Sequence, residues 1–129
     1  MRPLRLLIVA ALMLLVMGCG QAAAPISNSE LSQRVADGDV PVILDVRSGQ
    51  EYASGHVPGA INIPVDQLPG HLPELRRHDN AEIVVYCESG GRASKAADML
   101  IGDGFLNVRH LQGDMKQWRQ DDLPMDRGS

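Results

Sequence analysis

Ile83-Val84-Val85-Tyr86-Cys87-Glu88-Ser89-Gly90-Gly91-Arg92-Ala93-Ser94 is the stretch that decides the fold of this chain. Its first four residues are β-branched or aromatic, a strand-length run of the kind buried on both faces of a parallel sheet. From Arg92 to Ile101, Ala93, Ala96, Ala97 and Leu100 recur at helical spacing, and Gly102-Asp103-Gly104 ends that helix. Cys87 therefore stands at the carboxyl end of a buried strand, where open α/β sheets bind their ligands. Only Glu88, Ser89, Gly90 and Gly91 separate it from the helix. Consecutive glycines can take positive φ and carry no Cβ, so backbone N–H groups can close around the sulfur as an anion-binding nest. The helix N-terminus and the Arg92 guanidinium add positive potential there and favour the thiolate. Cys87 reads as a nucleophile.

Working outward, strands and helices alternate. Ser27-Asn28-Ser29-Glu30 is a capping-box pattern, followed by Leu31 and Val35 at helical spacing up to Gly38. Val42 to Val46 is a second buried-type strand, and Gln50 to Ser54 allows one or two helical turns. Ala60 to Ile63 is a short strand after the Pro58-Gly59 turn. Helical content over Asp66 to Arg77 is broken by Pro69-Gly70 and Pro73. Val108 to Leu111 forms a further strand, and Gly113 to Gln120 a last helix with Met115 and Trp118 inward. The pattern predicts one α/β domain over residues 27–127, a three-layer sandwich with a mostly parallel central sheet flanked by helices.

The N-terminus reads differently. Arg2 and Arg5 precede an apolar run of twelve residues, Leu6 to Met17. A membrane span needs roughly 20 apolar residues, so this run is short for one and matches a signal peptide over residues 1–18. Val16-Met17-Gly18-Cys19 resembles the lipobox of bacterial lipoproteins. That resemblance implies lipidation of Cys19, anchoring to a membrane, and a place in the cell envelope or periplasm. Residues 19–26 read as a tether too small and polar to fold. After residue 18 the chain has ten Lys and Arg against sixteen Asp and Glu, a net charge of −6, with one Trp, two Tyr and one Phe. Such a chain lacks the basic patch and stacking aromatics that nucleic acids require, so nucleic acid is dropped as a partner. With Cys19 lipidated, Cys87 has no intramolecular disulfide partner, a liability in an oxidising compartment unless its reactivity is its purpose.

Tyr86-Cys87-Glu88-Ser89-Gly90-Gly91-Arg92-Ala93-Ser94 resembles the active-site loop of single-domain rhodanese-family sulfurtransferases. Two further stretches are similar to the family's motifs. One is Leu44-Asp45-Val46-Arg47 with Glu51 and Gly55 to Pro64; the other is Leu111-Gln112-Gly113-Asp114 with Trp118 and Leu123-Pro124. The resemblance implies a rhodanese-like sandwich and transfer of sulfane sulfur through a covalent Cys87 persulfide, with no separate cofactor or metal. The donor would be a small anion such as thiosulfate, and the acceptor a thiol, cyanide or a partner protein. The N–H groups of residues 88–92 would hold the persulfide, Ser89 would add a hydroxyl, and Arg92 would attract the donor. Asp45 and Arg47 read as a structural pair supporting the loop. His56 sits in a turn motif, while His71, His78 and His110 have no metal spacing and read as solvated.

Two features depart from the family pattern. Asp114 stands where many relatives carry a second Gly, and is expected to affect the C-terminal segment and not the loop. Glu88, directly after the nucleophile, is expected to repel an anionic donor. Two other functions compete with sulfur transfer. Phosphatases and arsenate reductases of the same fold place five residues between Cys and Arg, whereas four separate Cys87 from Arg92. A persulfide carrier or partner-binding module without turnover would keep the same loop.

Overall fold

Among the described residues the strands form a five-stranded sheet in the order Ala24–Ile26, Val108–Leu111, Ile83–Tyr86, Val42–Asp45, Ile61–Asn62, every neighbouring pair parallel. The computed structural model describes residues 22–78 and 81–129. The strands are β1 (Ala24–Ile26), β2 (Val42–Asp45), β3 (Ile61–Asn62), β4 (Ile83–Tyr86) and β5 (Val108–Leu111). The helices are α1 (Asn28–Asp37), α2 (Gly49–Ser54), α3 (Leu68–Leu75), α4 (Gly91–Gly102) and α5 (Asp114–Gln120), with a 3-10 turn at Arg76–His78. The signal-peptide segment 1–18 and Cys19 lie outside the described residues.

Central β4 is buried at all four positions, as expected of a strand covered on both faces. Its alternation splits the core in two. Ile83, Val85 and Cys87 point to one side, among Leu68, Leu75, Ala93, Ala96, Ala97 and Leu100 of α3 and α4. Val84 and Tyr86 point to the other, with Leu31, Met115 and Trp118 of α1 and α5. Each fully buried aliphatic side chain contributes about 1.5–3 kcal/mol, so these two layers hold the sheet between its helices. Trp118 is 1% exposed and donates from Nε1 to the Pro124 carbonyl at 2.8 Å, anchoring the C-terminal segment.

Two expectations are corrected. Residues 24–26, assigned to a tether, form the edge strand β1: Ile26 is 1% exposed, and its carbonyl accepts from Gln112 N–H at 2.8 Å. A three-residue strand is too short to show periodicity, and its partner β5 lies more than eighty residues away. The prolines do not break α3 either. Pro69 sits within its first turn, where no intrahelical donor is needed. Pro73 is interior, but it and Pro69 are both exposed, so the missing hydrogen bond falls on the solvent side of the helix.

The first helix also starts as expected, with the Ser27 side chain accepting from Glu30 N–H at 3.1 Å. A reciprocal capping box forms instead at α2, between Ser48 and Glu51. That second box shapes the active site.

Candidate active site

Cys87 continues the alternation of β4 and is 1% exposed. The chain then turns sharply. Gly90 has φ +117° and its N–H donates to Cys87 Sγ at 3.0 Å. The Gly90 carbonyl accepts from Ser94 N–H at 2.9 Å, the first bond of α4. The helix axis therefore begins beside the sulfur, with its positive end facing the thiol. Of the nest expected from residues 88–92, Gly90 N–H alone among the described residues reaches the sulfur in this state. Ser89 is exposed, and its hydroxyl makes no hydrogen bond among the described residues.

The loop is anchored from α5. Cys87 N–H donates to Asp114 Oδ1 at 2.9 Å, the Cys87 carbonyl accepts from Met115 N–H at 3.0 Å, and the Glu88 carbonyl from Lys116 N–H at 3.1 Å. This overturns the reading that Asp114 affects only the C-terminal segment. Its carboxylate is 3% exposed and also binds His110 Nε2 at 2.9 Å. His110, read as solvated, is half-buried under the loop. Asp114 holds this position at φ +54°, a conformation costing a non-glycine residue roughly 1–2 kcal/mol. Gly90 is needed for space as well as for its φ: a Cβ there would lie 3.2 Å from Asp114 Oδ2.

Charged pairs surround the loop. Asp45 and Arg47 are 0% and 1% exposed and share three side-chain contacts of 2.7–3.2 Å. Asp45 Oδ1 also accepts from Arg47 N–H at 2.9 Å, and Arg47 Nη2 donates to the Gly55 carbonyl at 2.8 Å. Burial alone would lower the Arg47 pKa, but the Asp45 hydrogen bond and charge carry it above its ordinary value. Burial, helped by the Asp45 charge, pushes the Tyr86 phenol far up; its hydroxyl accepts from Val57 N–H at 3.1 Å. The pair thus ties β2, α2 and the loop region together.

Arg92, expected to attract the donor, grips Glu51 through two bonds of 2.7 and 3.0 Å. Arg92, with Ser48, holds the Glu51 carboxyl down at about 2. Glu88 is likewise paired, with Arg119 and with Arg47 at 3.8 Å. The repulsion expected of Glu88 is thereby offset by two guanidinium groups. A cavity of about 420 Å³ opens beside the loop, lined by Arg47, Glu51, Glu88, Arg119, Met125 and Arg127 among others.

The loop residues Cys87 to Arg92 and the Asp45–Arg47 pair thus come together at one end of the sheet. Four further residues join them that were given no role in the site: Glu51, His110, Asp114 and Arg119. The Ser48-x-x-Glu51 capping pattern was visible in the sequence. His110, Asp114 and Arg119 carried no local signal, since only docking of β5 and α5 against the loop brings them in.

Comparison with known proteins agrees with this arrangement. A family model described as the rhodanese-like domain matches residues 27–121. A sulfurtransferase from Allochromatium vinosum is 32% identical over 100 residues, covering 78% of this chain and 92% of that protein. An HTH-type transcriptional regulator from Mycobacterium tuberculosis is 38% identical over 112 residues, 85% of this chain and 48% of the regulator. The crystal structure of a rhodanese-related protein from Thermoplasma volcanium matches with a TM-score of 0.71 at 25% identity, covering 80% of this chain and 97% of that one. Regulators share this domain with sulfurtransferases, so the domain itself is compatible with more than one role. A match over residues 27–121, most of the chain, places the protein in the rhodanese-like family.

Proposed function

We propose that the protein is a sulfurtransferase that moves sulfane sulfur from a small anionic donor, such as thiosulfate, to a thiol, cyanide or protein acceptor through Cys87. The observation that carries this reading is the Gly90 N–H aimed at Cys87 Sγ from the start of α4. A thiolate there attacks the outer sulfur of the donor; the new bond joins that sulfur to Sγ, and the old S–S electron pair leaves with sulfite. The persulfide is an anion one atom longer, and the N–H groups of residues 88–92 are the available donors for its terminal sulfur. An acceptor thiolate then attacks that sulfur and returns Cys87 as thiolate. Arg92 supports the loop through Glu51, while Asp45 and Arg47 brace the β2 side.

Incubation with thiosulfate should add the mass of one sulfur atom to the Cys87 peptide, and Cys87→Ser should abolish both loading and transfer. No added sulfur from thiosulfate, polysulfide or a persulfide donor would remove the proposal. Loading without delivery to any acceptor would favour a carrier. We also propose export and a lipid anchor on Cys19; Cys19→Ala should then release the protein from membranes, and unchanged membrane association would rule the anchor out.

A further inference from the structure

Asp114 keeps a disfavoured backbone conformation at a position bordered by glycine, and its side chain shows what it is held for. Oδ1 accepts from Cys87 N–H and from His110 Nε2, each at 2.9 Å. An ionised carboxylate can only accept, so the ring nitrogen is the donor. Both side chains lie against Gly90: a Cβ there would be 3.2 Å from Asp114 Oδ2 and 3.7 Å from His110 Cε1. Together they form the floor beneath the loop that carries the thiol.

We propose that Asp114 and His110 are a positioning dyad that holds the loop from below and, through the charge of Asp114, sets how readily Cys87 reacts. This rests on the reading of Cys87 as the nucleophile. The first effect is geometric. Asp114 Oδ1 fixes the Cys87 N–H from below, while Gly90 N–H donates to the sulfur from the other end of the turn. The second is electrostatic. A buried carboxylate bonded to the nucleophile's own N–H disfavours a second anion beside it, and burial strengthens that repulsion.

The other charged groups around the loop are matched by arginine, which stays protonated in proteins. Arg92 of α4 holds Glu51 of α2, Arg47 holds Asp45 at the end of β2, and Arg119 of α5 holds Glu88 on the loop itself. Tyr86 turns to the opposite face of the sheet. Among these described groups, Asp114 alone has a partner able to lose its charge.

The test is the pH profile of iodoacetamide alkylation of the reduced full chain, read by mass spectrometry on the Cys87 peptide. Asp114→Asn keeps the acceptor oxygen and removes the charge, so alkylation at neutral pH should rise about threefold or more. His110→Gln keeps a donor but leaves the carboxylate without its counter-charge, so alkylation on the acid side should fall. The double variant should follow the Asp114→Asn profile. Profiles of folded Asp114→Asn and His110→Gln that superimpose on the native one would overturn the dyad. Should Asp114→Asn fail to fold, Asp114→Gly removes the same charge at a backbone angle glycine accepts, and an unchanged profile there overturns it equally. Alkylation needs no sulfur donor, so absence of persulfide formation would reject the sulfurtransferase reading separately.

Discussion

Replacing Arg47 with Met isolates the value of the buried ion pair behind the loop. The guanidinium contributes three side-chain contacts to Asp45 and one bond to the Gly55 carbonyl, all within 3.2 Å. Arg47→Met strips the Asp45 carboxylate, which is 0% exposed, of its guanidinium donors and leaves it the backbone N–H of residue 47. Stranding one member of a buried pair costs about 3–5 kcal/mol. Small domains are stable by about 5–15 kcal/mol, so this is a large share of the total. The melting temperature should fall by about 12 °C or more, at about 4 °C per kcal/mol for a domain of this size. Asp45→Asn in the same chain removes the stranded charge but keeps an acceptor for the backbone N–H, and the double variant should recover at least half of the loss. Urea unfolding of the native, single and double variants closes the cycle. A cost under about 1 kcal/mol for Arg47→Met, or a double variant no more stable than the sum of the singles predicts, would refute the argument.

Two further predictions concern the elements that frame the site. Gly113 has φ +76°, and a Cβ there would lie 2.4 Å from Gln117 Cβ, an atom that cannot swing away. Gly113→Ala should cost about 2 kcal/mol or more, whereas Gly70→Ala, in α3 with open space around it, should gain about 0.5–1 kcal/mol; equal effects in thermal melts would contradict this. The Glu51 carboxyl is held down at about 2 by Arg92 and Ser48, against an ordinary 4.5. Its folded-state value is depressed, so its contribution is complete above the unfolded value and disappears as pH falls from 4.5 toward 2. Glu51 is 36% exposed, and screening limits that contribution to about 1 kcal/mol or less. The stability gap between native protein and Glu51→Gln should therefore close across that window in denaturant titrations, and a gap independent of pH would count against the pair.

Sequence alone determined the parts whose causes are local. Ile83 to Tyr86 could be read as a central strand because all four side chains suit burial, and the glycine pair as a tight turn, which the structure makes at Gly90 with φ +117° while Gly91 opens α4 at an ordinary φ. Ala93, Ala96, Ala97 and Leu100 marked the inner face of α4 by their period. Cys87 followed from its place between those elements, and the Asp45–Arg47 pair from its motif. What sequence could not show were partnerships made across the fold. Edge strand β1 exists only because β5 is there to pair with it. Arg92 meets Glu51 forty-one residues away, and Glu88 is matched by Arg119 of the last helix. Asp114 becomes part of the loop's support only once α5 docks under Cys87. Backbone preference and side-chain period act over a few residues, and are written in order along the chain. Charge pairing and buried hydrogen bonds depend on distance in space, which tertiary structure alone decides.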